Sequence, residues 1–247
     1  MFEFTISCGE NLKIIDNLFV RLKIVVDNVD GIIVKQTHQS IDSICLAVDD
    51  KYKNCLKEHI LDVVSDVIIG VYKQEYLHQH ITITISNAVA YNAFVQALVV
   101  FDRQTDKDII KKHLVLEDKI NIDSFYNFRL DQLKNRWRDI ACVVNDSIPL
   151  MLKDKSVADL TRYFVDSTNK EAREVHLFVT DKIIRLKIDD ELSDLEFETN
   201  EDYLTNVLTE VISISPQKVV LHGKNEKMHE LKQVLRSVFV DKVFVVN

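Results

Sequence analysis

Apolar and polar residues alternate at the start of the chain. Residues 2 to 8 alternate large apolar with small or charged side chains, and this period of two predicts a half-buried strand. From 10 to 27, apolar residues recur at three- and four-residue steps, which predicts a helix followed by Gly31. Residues 32 to 37 and 43 to 48 then predict a hairpin. The N-terminal pattern is therefore β-α-β-β.

The middle of the chain has a predominantly helical pattern. An apolar stripe with helical spacing begins near residue 56, and another helix is predicted over 90 to 101. A polar, charge-rich stretch from Asp102 to Lys112 follows. Residues 80 to 86 alternate like a strand inside this region, and the pattern does not decide their structure.

Two more helices are predicted before the pattern changes again. Apolar residues from 129 to 148 share one helix face, and Pro149 is expected to end that helix. A shorter helix carries its apolar residues from 157 to 165. Trp137 falls on the apolar stripe of the first helix, so we expect it to be buried against the second.

After residue 172 the period returns to that of strands. The segment 218 to 223 is apolar enough to be a strand buried on both faces. The last two strands flank a helix, which predicts a parallel pair with a right-handed crossover. The predicted elements are strands over 174–180 and 183–188, a helix over 201–214, a strand over 218–223, a helix over 226–239 and a strand over 242–246.

These patterns define an α+β, mixed fold class. It combines the N-terminal β-α-β-β unit, a helical middle and a C-terminal mixed sheet of order β-β-α-β-α-β. The predicted division is 1–50, 51–168 and 169–247, with one integrated domain as the alternative, because no Pro/Ser-rich linker marks a hinge.

Composition excludes several classes of protein. The chain is 47% hydrophobic and 28% charged, as in globular proteins that bury a core. Its start has no basic region followed by an apolar stretch, and no apolar run reaches the length needed to span a bilayer. We therefore expect a cytoplasmic protein. Its four cysteines are scattered, as expected of reduced side chains.

Charge and glycine content limit the candidate chemistry. The formal net charge is −8, which argues against a dominant nucleic-acid partner, because Lys and Arg supply non-specific affinity for phosphates. Only four glycines occur, so most glycine-rich phosphate-binding motifs are excluded. No cofactor and no metal site are predicted.

Several short motifs resemble those of the YtxC-like family. They are Ser124-Phe-Tyr-Asn-Phe-Arg129-Leu130, Arg162-Tyr163-Phe164-Val165, Glu174-Val175-His176 and Pro216-Gln-Lys-Val-Val-Leu-His222-Gly223. Their order resembles the family over about residues 120 to 247, whereas the segment from Leu150 departs from the family pattern. The resemblance implies a role in sporulation in endospore-forming bacteria. It implies no activity, cofactor or catalytic residue.

One candidate ligand site lies at the end of the strand 218 to 223. Ligands of open α/β sheets bind beyond the carboxyl ends of parallel strands, where helix N-termini attract anions. His222 and Lys224 can titrate or bind an anion there, and Gly223 permits close approach. Asn225 also explains the turn as an ordinary helix cap without any ligand.

A second candidate is a polar surface made by Arg129, Arg162, Tyr163 and Asp166. Arginine can also act structurally, by pairing with a carboxylate. Basic residues flank Trp137, a combination that can bind single-stranded nucleic acid. Its position on the apolar stripe favours core packing.

Two further motifs have plain structural interpretations. The pair His78 and His80 would share one face if it lay on a strand, but no third metal ligand is near in sequence. The acidic segment 189 to 202 contains no Lys or Arg, so we expect a solvated connection that folding does not require. Docking of this segment to a basic partner is the alternative.

The sequence alone discloses no molecular activity. The preferred interpretation is a protein-interaction or regulatory factor acting in sporulation, leaning against an enzyme because no catalytic motif is found. The alternatives are a small-ligand binder or enzyme using the carboxyl edge of the C-terminal sheet, and a nucleic-acid-binding module. Partner identity and oligomeric state stay open.

Overall fold

The computed structural model describes residues 1–9, 12–38, 41–148, 154–168, 174–189 and 195–246. The strands are β1 (Phe2–Cys8), β2 (Ile32–His38), β3 (Ile41–Val48), β4 (Lys119–Asn121), β5 (Glu174–Val179), β6 (Ile183–Ile188), β7 (Leu195–Glu198), β8 (Lys218–His222) and β9 (Val243–Val246). The helices are α1 (Leu12–Asp27), α2 (Lys53–Val67), α3 (Gln74–His80), α4 (Ala88–Val100), α5 (Arg103–His113), α6 (Ile122–Arg129), α7 (Asp131–Ser147), α8 (Asp154–Ser167), α9 (Tyr203–Ile214) and α10 (Glu226–Phe239).

The predicted mixed α+β fold class is confirmed. The chain divides into two compact units, and each is built from two separate stretches of sequence. Unit 1 comprises Met1–His80 and Arg103–Cys142, and unit 2 comprises Ile81–Asp102 and Val143–Asn247. The division at residues 50 and 168 inferred from the sequence stays a prediction.

Unit 1 contains a four-stranded sheet in the order β2-β3-β1-β4. β2 and β3 form the predicted hairpin, and β1 pairs antiparallel with β3. Alternate residues of β1 are buried, including Phe4 and Ile6, and α1 contributes Leu18 and Leu22 to the same core. The hairpin residues Gln39-Ser40 lie outside the described part of the chain.

The sequence pattern did not predict β4. This strand has three residues, too few to show a period of two, and it pairs in parallel with β1. It leads directly into α6, whose first turn is capped by the Asn121 side chain. Leu130 then interrupts the helical conformation, so α7 begins at Asp131 and not at residue 129. Pro149 lies outside the described residues.

A buried ion pair lies in the helical part of unit 1. The segment Ile68–Lys73 is π-helical and joins α2 to α3. It places the ammonium of Lys73 2.7 Å from a carboxylate oxygen of Asp106 on α5, and both side chains are almost completely buried. Because a buried charge is costly without a partner, each of these residues depends on the other.

Trp137 completes this cluster. Its side chain is fully buried, as predicted, and its indole N–H lies 3.3 Å from the same oxygen of Asp106. The neighbouring rings belong to Tyr76 and Tyr126, both of unit 1. The expected packing partner, the helix over 157 to 165, belongs to unit 2. Packing of Trp137 against that helix therefore stays a prediction, while the contacts seen here come from aromatic and acidic side chains of its own unit.

Unit 2 contains a five-stranded mixed sheet in the order β7-β6-β5-β8-β9. The predicted hairpin of β5 and β6 is confirmed, and β5, β8 and β9 are parallel neighbours. One face of the sheet is apolar and buried beneath α9 and α10. Its core includes Val175, Leu177, Ile184, Leu186, Val219, Leu221, Val207, Val211, Leu231 and Leu235.

The acidic segment contributes an unexpected strand to this sheet. Part of it forms β7, which pairs antiparallel with β6, so the C-terminal unit contains one more strand than predicted. Glu196 forms an ion pair with Arg185 across the two strands, at 2.6 Å. Backbone hydrogen bonds require no apolar side chains, which explains how an exposed acidic segment can join a sheet edge. Asp190–Asp194 lie outside the described residues.

Two ambiguous segments of the middle region are now assigned. Residues 81 to 87 have no regular helix or strand, apart from a single β-bridge residue at Thr84. The charge-rich stretch after Asp102 forms α5, whose buried Asp106 and Ile110 give it one inward face. In the described part of the chain, no helix is long and apolar enough to cross a bilayer.

Candidate functional site

The candidate site is the open face of the unit 2 sheet. Strands β5 and β8 pair in parallel, with Glu174 beside Lys218 and Phe178 beside His222. Side chains alternate across a strand, so Val175, Leu177, Val219 and Leu221 point into the core, and the other four residues lie on the opposite face together with His176. The open face therefore combines aromatic, imidazole and charged groups.

Three rings are stacked along this face. The rings of Phe178 and His222 are 4.4 Å apart between centroids, with planes inclined by 10°. His176 Nδ1 lies 3.0 Å from His222 Nε2, a hydrogen-bond distance whose donor depends on the tautomers. The three residues come from two strands that are separated by about 40 positions in sequence but are adjacent in the sheet.

The charged groups of the face occur in opposite pairs. Lys218 Nζ donates to Glu174 Oε1 at 2.9 Å, and this hydrogen bond lowers the pKa of the Glu174 carboxyl. Glu174 Oε2 also lies 3.4 Å from His176 Nε2. The Arg185–Glu196 pair lies on the same face, since Arg185 is the cross-strand partner of Phe178. Lys218 and Arg185 are thus each matched by a carboxylate, and Lys187, the cross-strand partner of His176, adds a third cation to the face.

The edge of the face is exposed and apolar. Phe244 and Val246 of β9 are the cross-strand partners of Val220 and His222, and they are 47% and 49% exposed. Phe178 is 36% exposed. Phe178 also lines a shallow depression of about 440 Å³, together with Thr180, Ile183, Arg185 and Lys187. Exposed rings beside a depression are typical of binding surfaces.

Burial lowers the pKa of His222 below its usual range, and the nearby His176 lowers it further. We expect an NMR titration to give a His222 pKa below about 6.5. A histidine whose pKa is lower in the folded than in the unfolded state stabilises the fold at pH values above its unfolded-state pKa. This stabilisation is lost as the pH falls through the folded-state pKa. The melting temperature should therefore fall on acidification through this window.

The His176→Asn variant separates the effect of burial on the His222 pKa from the effect of His176. It should raise the His222 pKa, because the electrostatic effect of His176 on His222 is removed while the burial of His222 remains. An ordinary His222 pKa in the wild-type protein, or no change in the variant, would contradict the arrangement of the two rings.

The predicted ligand turn is occupied by the protein's own contacts. Asn225 Oδ1 accepts from Met228 N at 3.0 Å as the cap of α10, and Asn225 Nδ2 donates to Asp181 at 2.9 Å. Gly223 has φ +149°, and an added Cβ would lie 2.8 Å from the Val179 carbonyl oxygen. Lys224 is exposed. The capping role explains this turn, and binding of an anion there stays a prediction.

The second predicted set is spread over both units. Arg129 ends α6 in unit 1, whereas Arg162, Tyr163 and Asp166 lie on α8 in unit 2. Asp166 forms an ion pair with Lys242, and Tyr163 is 65% exposed. A surface shared by all four residues stays a prediction.

The remaining sequence candidates occupy structural positions. His78 and His80 lie on α3, where side chains two residues apart do not face each other. The four cysteines are free. Burial and the carboxylate of Asp123 raise the pKa of Cys8 to about 12, so its thiol is protonated at neutral pH and is a poor nucleophile.

The sequence predicted His222 but missed His176 and Phe178. The signal was present, since these residues alternate with Val175 and Leu177 in a predicted strand. Only the register of β5 against β8 shows that they meet His222.

Fold and site together define a mixed α/β protein of two units with an open, ring-bearing sheet face. The model of the YtxC-like family matches residues 52–244, which covers most of the chain. The chain therefore belongs to the YtxC-like family. No curated protein and no solved structure matches it.

Proposed function

We propose that this protein is a cytoplasmic regulatory factor of sporulation that binds a protein partner through the open face of unit 2. The observation that carries the proposal is the exposed set of Phe178, Phe244 and Val246 beside matched ion pairs. Aromatic groups with satisfied polar neighbours are the usual centre of a protein interface. The family's association with sporulation supplies the cellular context.

The charge pattern favours a protein partner over nucleic acid. Arg185 and Lys218 each pair with a carboxylate of a neighbouring strand, so a polyanion would have to displace Glu196 and Glu174. A protein surface with apolar side chains and both signs of charge at its rim can bind without breaking these pairs. The partner is accordingly an apolar protein surface with a mixed-charge rim.

An enzyme at the carboxyl edge of the sheet has less support. The polar side chain of Asn225 is engaged in the cap, and Asp181 places a negative charge beside the α10 N-terminus. Lys227 donates to the carbonyl oxygens of Asp181 and Thr199 at 3.0 and 3.1 Å. These contacts leave the turn well explained without a substrate.

Affinity purification from sporulating cells, followed by binding measurements with purified components, tests the proposal. Replacing Phe178 or Phe244 by glutamate should weaken binding of the co-purified partner by at least about tenfold, the effect of losing an interface hot spot. Phe128→Glu is the matched control, because Phe128 is 78% exposed on α6 of unit 1. It should bind the partner as the wild-type protein does.

Two results would contradict the proposal. One is a partner that binds the two face variants and the control equally well, provided that all are folded by circular dichroism. The other is tight binding of a labelled single-stranded oligonucleotide that is lost in Arg185→Gln and Lys187→Gln, which would assign the face to nucleic acid.

A further inference from the structure

The helices of unit 2 form a pocket that is separate from the sheet face. It has a volume of about 340 Å³ and lies where α4, α8, α9 and α10 meet. Val157, Leu208 and Val238 on its wall are buried, while Leu204 is partly exposed at the opening. A concave, mainly apolar site of this size falls within the range of small-ligand pockets, roughly 300 to 1,000 Å³.

The two hydroxyl groups in the wall are already hydrogen-bonded within their own helices. Thr161 Oγ1 donates to the Val157 carbonyl at 2.8 Å, and Ser237 Oγ donates to the Val234 carbonyl at 2.6 Å. Neither hydroxyl needs a ligand to satisfy it. The wall is therefore mainly apolar, with the side-chain amides of Asn87 and Gln233 as its other polar groups, and it fits an apolar chain better than a polar metabolite.

One cation lies beside this pocket. Arg162 follows Thr161 on α8, and its Nη2 donates to the carbonyl of Ser237, a wall residue, at 3.1 Å. Its Nη1 lies 3.4 Å from Asp159. Its Nε–H is buried and has no acceptor among the described residues. The side chain as a whole is 36% exposed, so a ligand carboxylate can reach the guanidinium from its solvent side, where arginine N–H groups bind carboxylates.

The geometry points to a binding site for an unbranched amphiphile with a carboxylate head, its chain in the pocket and its head at Arg162. A methylene group fills about as much space as a water molecule in the liquid, roughly 30 Å³, so the pocket takes a chain on the order of ten carbons. This site is independent of the proposed function, because it shares no residue with the sheet face.

Isothermal titration of the purified protein with decanoate tests the site. We expect saturable binding at sub-millimolar concentration. Ala158→Phe, which fills the pocket from α8, should raise the Kd by roughly tenfold or more, since it excludes several methylenes. The matched control is Ala88→Phe, because Ala88 lies exposed on α4 outside the pocket. It should leave the Kd unchanged.

The head group is tested with ligands of opposite charge. Arg162→Gln should weaken decanoate binding several-fold, and decyltrimethylammonium should bind the wild-type protein much more weakly than decanoate. The inference fails if decanoate does not bind at millimolar concentration, or if Ala158→Phe binds it as the wild type does. Equal binding of both amphiphiles, or an unaltered Arg162→Gln, would overturn the role of the arginine. This experiment requires no protein partner, so its result does not depend on whether the proposed function is correct.

Discussion

Replacing Asp106 by alanine is expected to lower the free energy of unfolding by about 3 to 5 kcal/mol. The Asp106 carboxylate is 2.7 Å from the Lys73 ammonium, and both side chains are at most 1% exposed. Without this carboxylate the buried ammonium loses the oxygen at 2.7 Å, and the Trp137 N–H loses the acceptor at 3.3 Å. Urea denaturation followed by circular dichroism measures the loss.

Two further variants make this result specific. Asp108→Ala removes an exposed carboxylate of the same helix, which accepts a side-chain amide N–H from Gln104, and should cost less than about 1 kcal/mol. The double variant Lys73→Met/Asp106→Leu removes the buried pair and should recover part of the loss, because apolar groups replace the pair while Arg136, 3.9 Å from the Asp106 carboxylate, keeps its charge. A single Asp106→Ala variant as stable as Asp108→Ala would show that Lys73 is not buried as a charge.

Trp137→Ala is expected to cost about 3 to 5 kcal/mol, the usual range for truncating a buried aromatic side chain. The indole is completely buried, and its centroid lies 6.0 Å from that of Tyr76 and 6.1 Å from that of Tyr126. Urea denaturation gives the value. Val143→Ala, at a 63% exposed position of the same helix, should change stability by no more than about 0.5 kcal/mol.

Fluorescence gives an independent test, because Trp137 is the only tryptophan in the chain. The folded protein should emit at shorter wavelength than free tryptophan and shift to longer wavelength on unfolding. Emission like that of free tryptophan from the folded protein would place the apolar stripe of α7 in water, against the structure.

The spacing of apolar residues correctly predicted the helices and strands that bury one face in the core. β1 and α1 each bury a regular set of side chains, so their patterns of two and of three to four residues are strong. The spacing of apolar residues was less informative for elements that bury few side chains. β7 is an exposed edge strand, and only Phe197 of its four residues is partly buried. In α5, charged residues outnumber apolar ones, so the stretch after Asp102 did not show an apolar stripe.

The candidate site depended on information that a single sequence does not contain. His222 was accessible to prediction because it ends a buried strand before a helix cap. Its contacts with His176 and Phe178 follow from the register in which β5 pairs with β8. A shift of one residue in this register would turn the side chains to the other face of the sheet and abolish the contacts. The Lys73–Asp106 pair likewise joins residues 33 positions apart.

The interleaving of the two units along the chain determines what a shortened protein can do. A fragment ending at Cys142 would contain all of unit 1 and also α4, which belongs to unit 2. Phe94, Ala97 and Leu98 of α4 are buried in the full chain. In the fragment they would lack α8 and α9, both encoded downstream, and apolar surface of this kind promotes aggregation. A nascent chain on the ribosome passes through the same state, which ends only when α8 and α9 have been synthesised.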